Sequence, residues 1–256
     1  MQILSTICAR AGSKGVKGKN VREFLGQPIS YYTLSAFSLF SQRSKGKYNC
    51  TLAINTDSDK LIEQVKLTNI EFLHVERIPE LAGDSASKID VIRNTLEISE
   101  RETGIDFDVI LDMDLTSPLR KIEDIFNLIV KLKSIPDADV AMTITEARRN
   151  PYFNQLTQKD NGFLKTVIDS EYVARQQSPP VYDANASLYA YRPGFLKNSD
   201  KILLKANMVG SLMDDTGILD IDSERDFFLM EAVANFLYEK DPLYAEIKNN
   251  ISKIIV

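Results

Sequence analysis

The sequence predicts an α/β fold built on a mostly parallel sheet, and three observations predict it. Short apolar runs alternate with helical patterns through the first two-thirds of the chain. Residues 3–9 form a compact run of the kind a strand covered on both faces requires. The least ordinary loops follow strands, where ligands of open parallel sheets bind.

The elements follow in order. After the strand at 3–9 and a polar loop, residues 29–40 place Ile29, Tyr32, Thr33, Ala36, Phe37 and Phe40 on one helical face. A second strand covers 50–55. Asp57 and Ser58 can cap a helix reaching about residue 67, and 70–75 is a third strand. Ser87-Lys88-Ile89-Asp90 resembles a capping box, with Asp in place of the usual Glu or Gln, and opens a helix carrying Ile89, Ile92, Leu96 and Ile98. Residues 108–115 are a fourth strand, 122–132 a helix, 140–145 a fifth strand. From 148 to 183 the pattern breaks at Asn150-Pro151 and Ser178-Pro179-Pro180, and we read an inserted arm of hairpins. The core resumes at 186–191, passes through a strand ending in Asp220-Ile221-Asp222, and closes with a helix over 223–238. The predicted organisation is a core of 1–147 plus 184–256 and an arm of 148–183. The arm's Tyr152, Phe153, Phe163 and Leu164 cannot be buried within a lone hairpin and call for a second subunit.

Composition narrows the function. Against 36 Asp+Glu stand 31 Lys+Arg, a net charge of −5, which disfavours nucleic acid as a partner. Basic residues therefore matter locally, as a pocket. The two cysteines, Cys8 and Cys50, lie in strand-like runs and read as small buried hydrophobes. A single histidine, His74, leaves little material for a His-based triad or zinc site. No stretch has the length of a membrane span and the first apolar run is too short for a signal peptide, so the expected compartment is the cytoplasm.

The loop Arg10-Ala11-Gly12-Ser13-Lys14-Gly15-Val16-Lys17-Gly18-Lys19-Asn20 carries three glycines and four cations in eleven residues. Glycines let backbone N–H groups turn toward an anion, and Lys or Arg supply the charge. A triphosphate suits it; a solvated basic turn is the passive alternative. The spacing fits neither a Walker A loop nor a dinucleotide fingerprint.

This segment resembles the signature of CMP-sialic acid synthetases and related sugar-acid cytidylyltransferases, matching at Ala9-Arg10, Gly12-Ser13-Lys14-Gly15 and Lys19-Asn20. The resemblance implies a three-layer, Rossmann-like nucleotidyltransferase fold of the glycosyltransferase-A kind. It implies that Arg10 and Lys19 stabilise charge on the α-phosphate and the leaving pyrophosphate, with Ser13, Lys14, Gly15 and Asn20 around the nucleotide. Four more segments are similar to the family. Arg77 to Ser87 resembles its cytosine pocket, with Arg77, Ala86 and Ser87 as matching positions. Asp114-Leu115-Thr116-Ser117-Pro118-Leu119-Arg120 matches its Q-P-T-S-P-L-R at Thr116, Ser117 and Arg120, but Asp114 stands where sialic acid synthetases carry Gln. Ionised Asp accepts hydrogen bonds and donates none. That departure favours legionaminic acid, whose extra N-acyl N–H suits an acceptor, over N-acetylneuraminic acid. The alternative reading of Asp114 is a strand-end carboxylate capping the next helix.

Arg175-Gln176 and Asn185 resemble the family's arm and the strand after it. The resemblance makes the arm a homodimerisation element that lends residues to the sugar site, with Arg175 facing the sugar carboxylate. Asp220-Ile221-Asp222 matches its D-I-D. Two carboxylates on one face repel unless a cation lies between them, so both are candidate Mg²⁺ ligands, against the alternative of a strand end before a capped helix. The implied reaction is attack by the anomeric hydroxyl of a nine-carbon 2-keto sugar acid on the α-phosphorus of CTP. Asp222 acting through the metal is the candidate base. Rival readings are the corresponding enzyme for an eight-carbon sugar acid, a Mg-dependent glycosyltransferase, and a non-catalytic nucleotide-binding protein.

Overall fold

In the computed structural model the described residues are 1–12, 15–83, 86–198 and 202–256, apart from the side chains of residues 175, 217 and 218. The elements are β1 (Gln2–Cys8), the short hairpin β2 (Glu23–Phe24) and β3 (Gln27–Pro28), α1 (Ile29–Ser44), β4 (Asn49–Thr56), α2 (Asp59–Lys66) and β5 (Leu73–Glu76). Then come α3 (Pro79–Ala82), α4 (Lys88–Thr103), β6 (Val109–Met113), α5 (Ile122–Ser134) and β7 (Val140–Glu146). The arm's β8 (Leu156–Gln158) and β9 (Leu164–Thr166) precede β10 (Tyr182–Tyr191), α6 (Pro193–Leu196), β11 (Met208–Leu212), α7 (Glu224–Lys240) and α8 (Pro242–Ile254).

Seven strands form one sheet in the order β11-β7-β10-β6-β1-β4-β5. All neighbours are parallel except β10, which runs antiparallel to both β6 and β7. From β1 the chain first builds outward through β4 and β5, then returns to place β6 on the other side of β1. That reversal makes the β1/β6 boundary the topological switch point, and its carboxyl end is where a cleft opens. The loop at 10–20 and the segment at 114–120 both leave the sheet there.

Two apolar layers flank the sheet. One joins it to α1, α5, α7 and α8 through residues such as Ile7, Phe40, Leu128, Met230 and Ile251; the other joins it to α4 and α6 through Leu4, Ile92, Leu96, Tyr191 and Phe195. The predicted three layers are therefore present. Phe24 packs edge-on against both Tyr32 and Phe227, with centroids 5.2 and 5.8 Å away, and so ties α1 to α7. Ser58, Ser87 and Ser223 cap α2, α4 and α7 through their hydroxyls.

Three expectations change. The third strand is shorter, because residues 70–72 carry no ladder bonds. Asp220-Ile221-Asp222 is not a strand: a 3-10 turn at Asp215–Ile218 leads into an irregular segment that α7 follows. The alternation survives all the same, because Ile221 is buried while the carboxylates on either side are more exposed. Asp114 does not cap the next helix: the start of α5 is held instead by Asp124, which accepts from the Lys121 backbone N–H at 2.7 Å.

Asp124 also carries a stability consequence. Burial pushes its carboxyl up to about 6, against the bond from the Lys121 backbone N–H and the Lys121 charge. A carboxyl raised in the folded state contributes full stability below its unfolded value of 3.8 and loses it as pH rises through about 6. Ionised Asp124 thus costs on the order of 3 kcal/mol. Asp124→Asn, which keeps an acceptor for the cap, is expected to match the wild-type Tm near pH 4 and to exceed it at pH 7.5. Thermal unfolding at both pH values checks this, and an equal effect at both would refute it.

Candidate active site

The loop after β1 is held by its neighbours on both sides. Asp57, at the end of β4, accepts from the Ala11 N–H at 2.7 Å, and Asn20 Nδ2 donates to the Arg10 carbonyl at 3.0 Å. Gly18 takes the left-handed conformation, φ 64°, to start the turn at Lys19–Val21. Lys19 Nζ donates to the Ile221 carbonyl at 2.9 Å and lies 3.7 Å from Asp222 Oδ1. Gly15 meets the same segment so closely that a Cβ there would stand 1.9 Å from the Asp222 carbonyl oxygen. Loop and D-I-D segment are thus one unit, although 200 residues of chain separate them.

A cavity of about 270 Å³ opens beside this loop, lined among others by Arg10, Lys19, Asn20, Arg77, Ala86 and Thr116. Most of the nucleotide-binding candidates therefore meet in one place. Arg77 is buried and donates through Nε to Asn55 Oδ1 at 2.8 Å and through Nη2 to the Asn55 carbonyl at 3.2 Å. Cys8 also lines this cavity, its thiol pushed up to about 12 by burial and by the charge of Asp112, so it stays neutral.

A second cavity, about 560 Å³, adjoins the first and is lined by Ser87, Ile89, Ala186, Tyr189, Tyr191 and Leu203, besides Lys88 and Asp114. Asp114 Oδ1 accepts from Thr116 N at 2.8 Å and Thr116 Oγ1 at 2.7 Å, while Oδ2 faces Lys88 Nζ at 3.1 Å. Burial opposes its charge, yet Lys88 and the Thr116 bonds prevail and hold the carboxyl down to about 2. Asp114 is an acceptor at any working pH.

The remaining candidates separate. Arg120 is fully buried behind the 114–120 turn, where Nε and Nη2 bind the Ser117 carbonyl at 3.1 and 2.5 Å and Nη2 also binds that of Asp114. It shapes the turn from behind, and burial lowers its guanidinium to about 10. Ser117 is buried beside it. Asn185 is buried between β10 and β7, its oxygen taken by Thr143 Oγ1 at 2.5 Å and the Ser187 N–H at 3.1 Å, and its amide on Met213 Sδ. Gln176 lies in an exposed turn of the arm. Ser13, Lys14 and the side chain of Arg175 fall outside the described residues.

Asp220 and Asp222 suit a divalent cation. Burial raises the Asp220 carboxyl and Asp114 raises it further; Lys19 pulls the other way, and Asp222 adds to the rise. This is the like-charge strain that a bound cation relieves. Asp222 is 81% exposed, open to a ligand. No group of three His, Cys, Asp or Glu among the described residues could hold a metal. Two carboxylates leave the rest of the shell to phosphate oxygens and water, as Mg²⁺ prefers.

Residues 5–244 match the family model described as Cytidylyltransferase. The chain belongs to the cytidylyltransferase family. This cytidylyltransferase is 36% identical over 245 residues to post-translational flagellin modification protein B of Campylobacter coli, covering 96% of this chain and 98% of that one. It is 34% identical to the CMP-N,N'-diacetyllegionaminic acid synthase of Campylobacter jejuni, covering 90% and 94%. Among solved structures it superposes on a CMP:2-keto-3-deoxy-manno-octonic acid synthetase complexed with CTP, with TM-score 0.65 and 14% identity over 92% of this chain and 99% of that one, a likeness of fold. The cytidylyltransferase is thus a nucleotidyltransferase enzyme, which sets aside the glycosyltransferase and non-catalytic readings. No helix among its described residues is long and apolar enough to cross a membrane.

Lys88 and Asp112 belong to none of the sequence motifs, and Asp57, expected as a helix cap, accepts from the Ala11 N–H while Ser58 caps α2. Lys88 had a signal: it is the first residue of a helix, where the dipole disfavours a cation, so it must answer to nearby carboxylates. Asp112, in the middle of a buried strand, is the reciprocal signal.

Proposed function

We propose that the enzyme transfers CMP from CTP to the anomeric hydroxyl of a nine-carbon 2-keto sugar acid, with Mg²⁺ on Asp220 and Asp222, and that legionaminic acid is preferred to N-acetylneuraminic acid. The observation that carries this reading is the contact of Lys19 with the Ile221 carbonyl and Asp222, because it sets a phosphate-binding cation beside the metal-binding carboxylates. Names of relatives support the acceptor class: besides the legionaminic acid synthase, an N-acylneuraminate cytidylyltransferase of Streptococcus agalactiae is 27% identical over 89% of this chain and 52% of its own.

In this reading CTP occupies the smaller cavity and the sugar acid the larger. The hydroxyl oxygen forms a bond to the α-phosphorus, the bond from that phosphorus to the β-bridging oxygen breaks, and pyrophosphate leaves. Arg10 and Lys19 neutralise charge building on the α-phosphate and pyrophosphate; Ser13, Lys14, Gly15 and Asn20 complete the cradle. Arg77 and Ala86 hold the base side, while Ser87 lines the larger cavity beside the acceptor. Thr116 orients Asp114 toward the sugar, and the Ser117–Arg120 turn fixes both. Bound Mg²⁺ supplies charge neutralisation on phosphate oxygens and a lowered pKa for the attacking hydroxyl. Asp222 is the candidate proton acceptor.

The arm, residues 148–183, completes the site across a homodimer, with Arg175 and Gln176 reaching a neighbour's sugar carboxylate and Asn185 bracing the strand they leave from. Exposed Phe163, Leu164 and Val173, at 71, 63 and 83%, support that role. The product is a soluble nucleotide sugar, made in the cytoplasm.

The test is acceptor preference. Asp114→Gln, which adds an amide donor and removes the charge, is expected to shift the kcat/KM ratio toward N-acetylneuraminic acid by about tenfold, the worth of one buried hydrogen bond. An unchanged ratio would remove Asp114 from sugar selection.

A further inference from the structure

Lys88 is a cation that nucleotide binding alone does not call for. It stands at the first turn of α4, its Nζ 2.8 Å from Asp112 Oδ2 and 3.1 Å from Asp114 Oδ2. Asp112 is 1% exposed, and its other oxygen accepts from Thr6 Oγ1 at 2.9 Å. Lys88 itself keeps 39% of its side chain exposed, toward the cavities it lines. The ring of Tyr189 lies below the ammonium, 5.8 Å from its centroid.

The hydrogen-bonding capacity at this point can be counted. A lysine ammonium has three N–H donors, and a carboxylate oxygen has two lone pairs. One donor is given to Asp114 Oδ2, and the ion pair with Asp112 Oδ2 at 2.8 Å occupies a second side of the ammonium. Both lone pairs of Asp114 Oδ1 serve Thr116, and Oδ2 serves Lys88. One donor and one acceptor therefore remain, about one hydrogen-bond length apart. Lys88 and Asp114 are also the two residues that line both cavities, among those described. The leftover pair lies at the seam where an acceptor must approach the nucleotide.

We propose that Lys88 is a specificity-determining residue, forming with Asp114 a two-point reader for an acceptor that carries a hydrogen-bond donor and a neighbouring acceptor atom. Asp114 takes the donor, such as an N-acyl N–H; Lys88 gives its third N–H to the adjacent oxygen. Lys88 also fixes which oxygen of Asp114 is turned to the ligand. The proposal rests on the cytidylyl-transfer reading above.

The test is steady-state kinetics with both substrates varied. Lys88→Met alone would strand the buried Asp112 charge and risk unfolding, so the informative variant is Lys88→Met with Asp112→Asn. It is expected to keep its Tm within a few degrees and its KM for CTP within about twofold, while KM for N,N'-diacetyllegionaminic acid rises roughly tenfold and the preference over N-acetylneuraminic acid shrinks as much. Lys88→Arg, which keeps the charge and supports Asp112 but displaces the donor, is expected to raise the acceptor KM severalfold with CTP unaffected, and decides the matter if the double variant does not fold. An unchanged acceptor KM, or equal weakening of CTP and acceptor, would overturn the proposal and leave Lys88 a structural counter-ion. If wild type releases no pyrophosphate with any sugar acid, the transfer reading itself fails; wild-type turnover with unaffected variants sinks only the role of Lys88.

Discussion

Lys19→Ala is expected to lower kcat roughly 10²–10³-fold with little change in Tm. The magnitude is that of removing one preorganised charge from a centre where negative charge develops. The side chain bridges the loop after β1 to the D-I-D segment, and its charge lies 3.7 Å from Asp222, a candidate metal ligand. Stability is spared because the ion pair with Asp222 involves a carboxylate that is 81% exposed, and such pairs contribute little. Pyrophosphate release under saturating CTP and acceptor measures the effect. A loss smaller than tenfold would mean that Lys19 only braces the Ile221 carbonyl.

Gly15→Ala is expected to cost roughly 100-fold in kcat/KM for CTP. The added methyl would sit 1.9 Å from the Asp222 carbonyl oxygen, and a backbone atom cannot rotate out of the way as a flexible side chain can. Either the loop or the D-I-D segment must move by more than an ångström. Displacements of that size disrupt near-attack geometry on this scale. Circular dichroism is expected to stay near wild type and the Tm to fall by only a few degrees, because Val16 and Ile221 beside the contact keep their apolar side chains in the core layer. Native kinetics in this variant would show that the loop and the D-I-D segment need not touch.

Much of this architecture was legible because local and global signals agree. The run at 3–9, the loop that follows it and the caps at Ser58, Ser87 and Ser223 are local features that survive folding. What escaped depends on tertiary context. The edge strand β11 is short, and Gly210 interrupts its pattern, so only pairing with β7 defines it. The helix α8 does carry a signal in Asp241-Pro242 followed by Tyr244, Ile247, Ile251 and Ile254, a cap and a periodic face packed on α1 through Ser35 and Asn250. D-I-D reads as a strand because alternation is shared by strands and by irregular extended chain.

The site divides along similar lines. Arg10, Lys19, Asn20, Arg77 and Thr116 are found around one cavity, since motifs at strand ends converge wherever the sheet reverses direction. Arg120 and Asn185, matched with equal ease in sequence, lie buried as supports. A motif fixes residue identity at a position, whereas whether the side chain faces the ligand or the turn behind it is decided by the backbone path. Lys88 and Asp112 belong to no such motif. They find each other only when α4 is laid across the ends of β1 and β6.

The most direct test of the account is pyrophosphate release by the wild-type protein with CTP and Mg²⁺, with N,N'-diacetyllegionaminic acid and N-acetylneuraminic acid supplied in turn, and the product identified by mass. Acceptor-dependent release, formation of the CMP-linked sugar acid, and faster turnover of the legionaminic acid are expected. Release with neither acid, or release independent of the acceptor, would contradict it.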